Sequence, residues 1–146
     1  MNENKTIKER EEEIVEEFSL FDTWEEKYEY IIDLGKKLEP LDDKFKVEEN
    51  IIKGCQSTVW VTSEFKEGKV YYKADSDAVI VKGLISMLIR VLSGNTPDEV
   101  LNAKLDFIND IGMMTHLAQT RSNGLLSMIK QIKNYALAYK SVSAVK

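Results

Sequence analysis

One cysteine, one histidine and two prolines are all that 146 residues carry of those types. A single thiol excludes an intramolecular disulfide. With one imidazole beside it, the chain cannot fill a tetrahedral zinc shell without carboxylates, and no CxxC or HxxxH spacing occurs. An iron–sulfur cluster held by this chain alone would want several thiolates. Basic charge is in deficit, 20 Lys and Arg against 25 Asp and Glu for a net charge of −5. No basic surplus exists to displace phosphate counterions, which argues against nucleic-acid binding. Long apolar runs are missing too. The most apolar stretch, AVIVKGLISMLIRVL at 78–92, carries Lys82 and Arg90, whereas a bilayer helix needs about 20 uninterrupted apolar residues. It reads as a buried helix rather than a membrane span. The N-terminal MNENKTIKEREEE is polar and acidic with no apolar signal core, so cytoplasm is the expected compartment.

What is present fits one globular domain over 1–146. Apolar residues make up 43% and charged residues 31%, too apolar a mixture for a disordered chain. Thr6-x-x-Glu9 and Thr23-x-x-Glu26 are capping-box patterns, each ahead of helical apolar spacing. The first helix carries Ile7, Ile14, Val15 and Phe18 on one side, and its glutamates read as a solvated face. The second carries Trp24, Tyr28, Ile31, Ile32, Gly35 and Leu38, and Pro40 closes it. LDDKFKVEEN (41–50) has neither period and reads as an irregular connection. STVWVTSEF (57–65) and KVYYKAD (69–75) are β-prone runs joined by a short Gly-containing link, a hairpin signature.

Asp75, Ser76 or Asp77 is available to cap the long apolar helix, which should lie centrally because it is apolar nearly all round. SGN (93–95) stops it, and TPDE (96–99) starts a short helix running to about 103. KLDFINDIGMM is ambiguous between an extended piece and a helical turn. A last helix is predicted from about Ser122 to Tyr139, with Leu125, Leu126, Ile129, Ile132 and Ala136 on one side. The fold class is therefore α+β, a small antiparallel sheet packed by helices.

Cys55 stands out by its neighbours. A free cysteine is commonly core filler, yet Lys53-Gly54 before it and Gln56-Ser57 after it put this one at a junction into a strand. Gly54 allows unusual backbone angles and a close approach. A reactive thiol must ionise, and at an ordinary pKa near 8.5 only about 3% is thiolate at pH 7. Lys53, His116 and Arg121 are the candidate sources of positive charge. Arg121 reads either as a surface arginine beside an N-cap serine or as an anion- or partner-binding group. Asp75 and Asp77 read first as capping acids, and Trp60, Tyr71 and Tyr72 as strand residues. Cys55 with His116 also admits a Cys–His hydrolase, although neither known local signature of such enzymes occurs.

Four ordered blocks, WEEKYEYIIDLGKKL, IIKGCQSTVWV, DSDAVIVKGLI and HLAQTRSNGLLSMI, resemble the SufE family of sulfur-acceptor proteins from about Phe18 to about Tyr139. That resemblance implies a carrier that takes sulfane sulfur from a pyridoxal-phosphate cysteine desulfurase of the SufS or CsdA type. The sulfur is held as a transient cysteine persulfide, desulfurase turnover rises, and the sulfur passes to an iron–sulfur assembly scaffold. Cys55 matches the acceptor, Gly54 and Gln56 flank it in the same block, and Asp77 and Arg121 match positions around the acceptor loop and partner surface. His116 falls in the matching HL segment, where HLAQTR stands in place of the commoner HLTPSR. The cofactor belongs to the partner, so this chain should bind none. The implied fold is similar to that of the IscU scaffold and adds a third strand, with IIKG and KLDF as candidates. The extra cysteines of such scaffolds are missing, and a carrier fits better. The rival reading is a docking module that regulates a desulfurase or assembly complex without covalent use of Cys55.

Overall fold

In the computed structural model, which describes residues 5–145, the two β-prone runs form a hairpin of β1 (Val59–Lys66) and β2 (Lys69–Ser76). The strands are antiparallel, with Val61 opposite Ala74 and Phe65 opposite Val70. The link turns at Glu67 and Gly68, both at positive φ (52° and 80°), which matches the twist of a two-residue hairpin. Val59, Val61, Val70, Tyr72 and Ala74 are buried, so one face of the pleat meets the core. Residues 1–4 of the polar N-terminal stretch, and residue 146, lie outside the described residues.

Among the described residues seven helices surround the hairpin: α1 (Ile7–Phe18), α2 (Trp24–Lys36), α3 (Val79–Leu92), α4 (Pro97–Asn102), α5 (Phe107–Asp110), α6 (Met113–His116) and α7 (Gln119–Val145). The capping boxes at Thr6, Thr23 and Thr96 are all formed. As its composition requires, α3 is central and packs against α1, α2, α7 and β2. The α2–α3 crossing is close at two glycines, Gly35 and Gly83: a Cβ on Gly83 would stand 2.1 Å from the Ile31 carbonyl oxygen. On the same core-facing side the sheet is held by α7. Tyr72 Oη donates to the Ile132 carbonyl (2.8 Å) and Tyr135 Oη to that of Val61 (3.2 Å).

Several expectations change. No third strand occurs among the described residues. IIKG makes only a bridge at Ile51 to Trp60, beside an Ile52 N–H bond to the Val59 carbonyl. KLDF cannot extend, because Leu105 is at φ 57°. None of Asp75, Ser76 and Asp77 caps α3, whose N-cap is Ala78. Asp75 lies in β2 and pairs with Lys46 (3.1 Å) and Lys82 (3.2 Å). α7 starts at Gln119, ahead of Ser122, so Arg121 lies inside the helix and Ser122 bonds back to the Gln119 carbonyl. On α7 Leu126 points outward and Met128 is buried in its place. LDDKFKVEEN is less irregular than its composition suggests, holding 3-10 turns at Asp43–Phe45 and Glu48–Asn50. The α1 glutamates are not all solvated: Glu11 accepts the Phe107 N–H (3.1 Å), and Glu17 pairs with Arg90 (2.8 Å). Arg10 is the less foreseeable residue, 1% exposed and donating to the Val91 and Ser93 carbonyls at the end of α3.

Candidate functional site

The Cys55 loop crosses the face of α7. Gly54, at φ 94°, makes the turn, and a Cβ there would stand 2.4 Å from Ser127 Oγ. The backbone angle calls for glycine there, and the space beside the Ser127 side chain is tight as well. The next residue drops its side chain onto α7, where Cys55 Sγ–H donates to the Gly124 carbonyl at 3.6 Å. Downstream, Thr58 is clamped to the end of the hairpin. Its N–H donates to Asp77 Oδ1 (3.0 Å), and its carbonyl accepts from the Asp77 N–H and from Ser76 Oγ. Asp77 thus holds the chain three residues beyond the thiol.

Cys55 is half-buried, in a cavity of about 210 Å³ walled by Val81 of α3 and by Ala118, Arg121, Gly124 and Met128 of the α7 segment. Gln56 is on its rim and exposed. Burial pushes the Cys55 thiol up from its ordinary value, with no opposing cation acting on it. The bond to the Gly124 carbonyl acts in the same direction, since it needs the S–H proton. Yet the first turn of a long helix forms one wall, and a helix N-terminus favours negative charge. Arg121 stands in that turn, exposed, with no ion-pair partner among the described residues.

Cys55, Gln56 and Arg121 are thus brought to one cavity, with Gly54 and Asp77 fixing the loop that carries the thiol. His116 is not brought there. It ends α6, where its ring stacks on Trp24 (4.2 Å between centroids) and Nδ1 lies 2.9 Å from the Gly112 carbonyl oxygen. Tyr28 Oη donates to the His116 carbonyl. No hydrogen bond joins Cys55 to His116 among the described residues, so the pair is not assembled for hydrolysis. Gly124, Val81, Met128 and Ser127 went unforeseen. The available signal was Gly124 itself, since an interior glycine in a helical pattern marks a close approach.

The fold and site define a small α+β domain built around one seated thiol. Among the described residues no group of three or more His, Cys, Asp or Glu could hold a metal ion, and no helix is long and apolar enough to cross a membrane. The chain belongs to the SufE family: the family model described as an Fe-S metabolism associated domain matches residues 12–136. It is 37% identical over 137 residues to an uncharacterised SufE-like protein of Synechocystis sp., covering 94% of this chain and 86% of that one. To the SufE-like protein 1, chloroplastic/mitochondrial, of Arabidopsis thaliana it is 42% identical over 127 residues. That match covers 86% of this chain and 34% of the plant protein, so the chain spans about a third of that relative's length. An uncharacterised SufE-like protein of Rhizobium meliloti is 35% identical over 130 residues, covering 86% of this chain and 93% of the relative. The solution structure of a hypothetical protein from Thermus thermophilus superposes with a TM-score of 0.74, covering 90% of this chain and 96% of that one. Its identity is 20%, so the likeness concerns the fold alone.

Proposed function

We propose that this chain is a covalent sulfur carrier: Cys55 accepts sulfane sulfur from a cysteine desulfurase and delivers it for iron–sulfur cluster assembly. The observation that carries the reading is the seating of the chain's one thiol, in a cavity between a glycine turn and the first turn of α7. In the transfer step the Cys55 thiolate attacks the outer sulfur of the partner's persulfide. A new S–S bond forms at Cys55, the partner's S–S bond breaks, and the partner's thiolate leaves with the electron pair and is reprotonated. Pyridoxal phosphate stays on the partner throughout. Arg121 and Gln56, exposed on the rim, are positioned to meet the docking desulfurase, and Asp77 holds the loop for it.

Because burial and the Gly124 carbonyl both favour the S–H form, the thiol must leave its seat or meet positive charge from the partner before it reacts. The turn at Gly54 supplies the hinge. Removing the persulfide from the desulfurase would raise the partner's turnover. The test is the rate of alanine release by a cysteine desulfurase with this chain added. Wild type should stimulate and Cys55→Ser should not. Stimulation retained in Cys55→Ser would instead support docking without covalent transfer.

A further inference from the structure

We propose that the groove between α1 and the α4–α5 segment docks a basic amphipathic helix of a partner protein. The groove shares no lining residue with the Cys55 cavity, so the site lies beyond the carrier reading and does not depend on it.

The groove holds about 880 Å³ and follows α1 from Thr6 to Ser19. Its α1 wall is Ile7, Lys8, Glu11, Glu12, Val15 and Glu16, a stripe at helical spacing along a helix of about 18 Å. The floor is apolar: Ile7 and Val15 are half-buried, and Ala103 and Phe107 are buried. Both walls are pinned in the free chain. Glu11 accepts the Phe107 N–H (3.1 Å), which joins α1 to α5. Lys133 of α7 donates to the Leu101 and Ala103 carbonyls (3.4 and 2.7 Å), which holds the α4 side. A preformed groove has little freedom left to lose on binding.

Charge decides what the groove takes. Six carboxylates line it: Glu11, Glu12, Glu16, Glu99, Asp106 and Asp110. Two lysines, Lys8 and Lys104, stand against them, so the rest of the chain carries almost none of the net charge of −5. None of the six forms an ion pair among the described residues. Glu13 and Glu17 of the same helix, outside the groove, pair with Lys5 and Arg90. Burial raises the Glu11 carboxyl above its ordinary value; the Phe107 N–H opposes this, and the charges of Asp106 and Asp110 add to it. An unneutralised field of this kind attracts a cationic partner and repels nucleic acid or an anionic lipid surface. Apolar floor and acidic rim together match a helix with one apolar face flanked by Lys or Arg. Helices and their link line the groove, with no strand there to extend, so the fitting mode is a helix laid in a groove.

The test is the fluorescence anisotropy of a labelled peptide of about four helical turns, with Leu and Ala on one face and Lys on both flanks. A scrambled peptide of the same composition is the comparison. Glu12→Lys with Asp110→Lys reverses two exposed groove charges, and Glu29→Lys with Glu64→Lys reverses two exposed charges elsewhere. Thermal melts check that both variants fold. The wild type should bind the helical peptide more tightly than the scrambled one. The groove variant should bind it about ten-fold more weakly, with a far smaller change in the other variant. Equal affinity for the two peptides, equal weakening in the two variants, or no binding by the wild type would overturn docking in the groove. Each of those results would leave the carrier reading standing.

Discussion

At Cys55 two influences act on one proton, and both retain it. Burial raises the thiol's pKa, and the Gly124 carbonyl accepts the S–H. The fraction of thiolate at neutral pH is then below that of an ordinary thiol, and alkylation should still be accelerating above pH 8.5 or so. An iodoacetamide rate profile from pH 6 upward measures this; a midpoint below the ordinary value would contradict it. The consequence for stability has a definite sign. A folded-state pKa above the unfolded one contributes stability below the unfolded value and loses it as pH rises through the folded value. Asp77 acts on the same loop from outside, through the Thr58 N–H. Asp77→Ala removes that bond, so Cys55 should alkylate faster at pH 7 while global stability falls by about 1 kcal/mol. Alkylation at the wild-type rate would show that the loop is held elsewhere.

Among the helices, α3 depends on two contacts that its own sequence does not announce. Its N-terminal half is crossed by α2 at Gly83, and Gly83→Ala would drive a methyl into the Ile31 carbonyl. Overpacking of this kind costs about 1–3 kcal/mol, occasionally more, so a clear drop in urea midpoint is expected. Its C-terminal end is capped by the buried Arg10 of α1. Arg10→Met should cost about 1–3 kcal/mol by leaving those carbonyls unsatisfied. These elements show what local reading reaches. Capping boxes, a Gly-containing hairpin link and the central position of α3 follow from short-range chemistry, and all were legible. The start of α7 was not, because Gln119, Thr120 and Arg121 carry no capping signal, and the turn is closed by the Arg121 and Ser122 N–H bonds to the Ala118 carbonyl. The third strand failed because Ile51 pairs only once and Leu105 adopts a backbone angle that side-chain type does not predict. The site divides in the same way. Cys55 and Gly54 were legible from their neighbours. Gly124 was marked only as an interior helical glycine and Met128 not at all, since what they touch appears only when a loop dozens of residues away lands on them.

For the whole molecule, the cavity is shared among the Cys55 loop, α3 and α7, so folding and the reactivity of the thiol are linked through α7. The same helix walls the thiol and receives the Tyr72 hydroxyl from the sheet. Acid should loosen the domain from another direction. The Arg90 guanidinium bonded to Glu17 holds that carboxyl below its ordinary value of 4.5. Its stabilisation is present above that value and is lost as pH falls through the folded pKa. Glu17→Gln should accordingly flatten the acid limb of a stability–pH curve below about pH 4.5, read by thermal melts across pH; an unchanged limb would place the acid sensitivity at other carboxylates. Whether Cys55 is the sulfur acceptor is reached directly by one measurement. The chain is incubated with a cysteine desulfurase and cysteine, and its intact mass is recorded before and after adding reductant. A covalent carrier gains one or more sulfur atoms, loses them to reductant, and shows no gain as Cys55→Ser. An unchanged mass in the wild type would contradict the carrier reading.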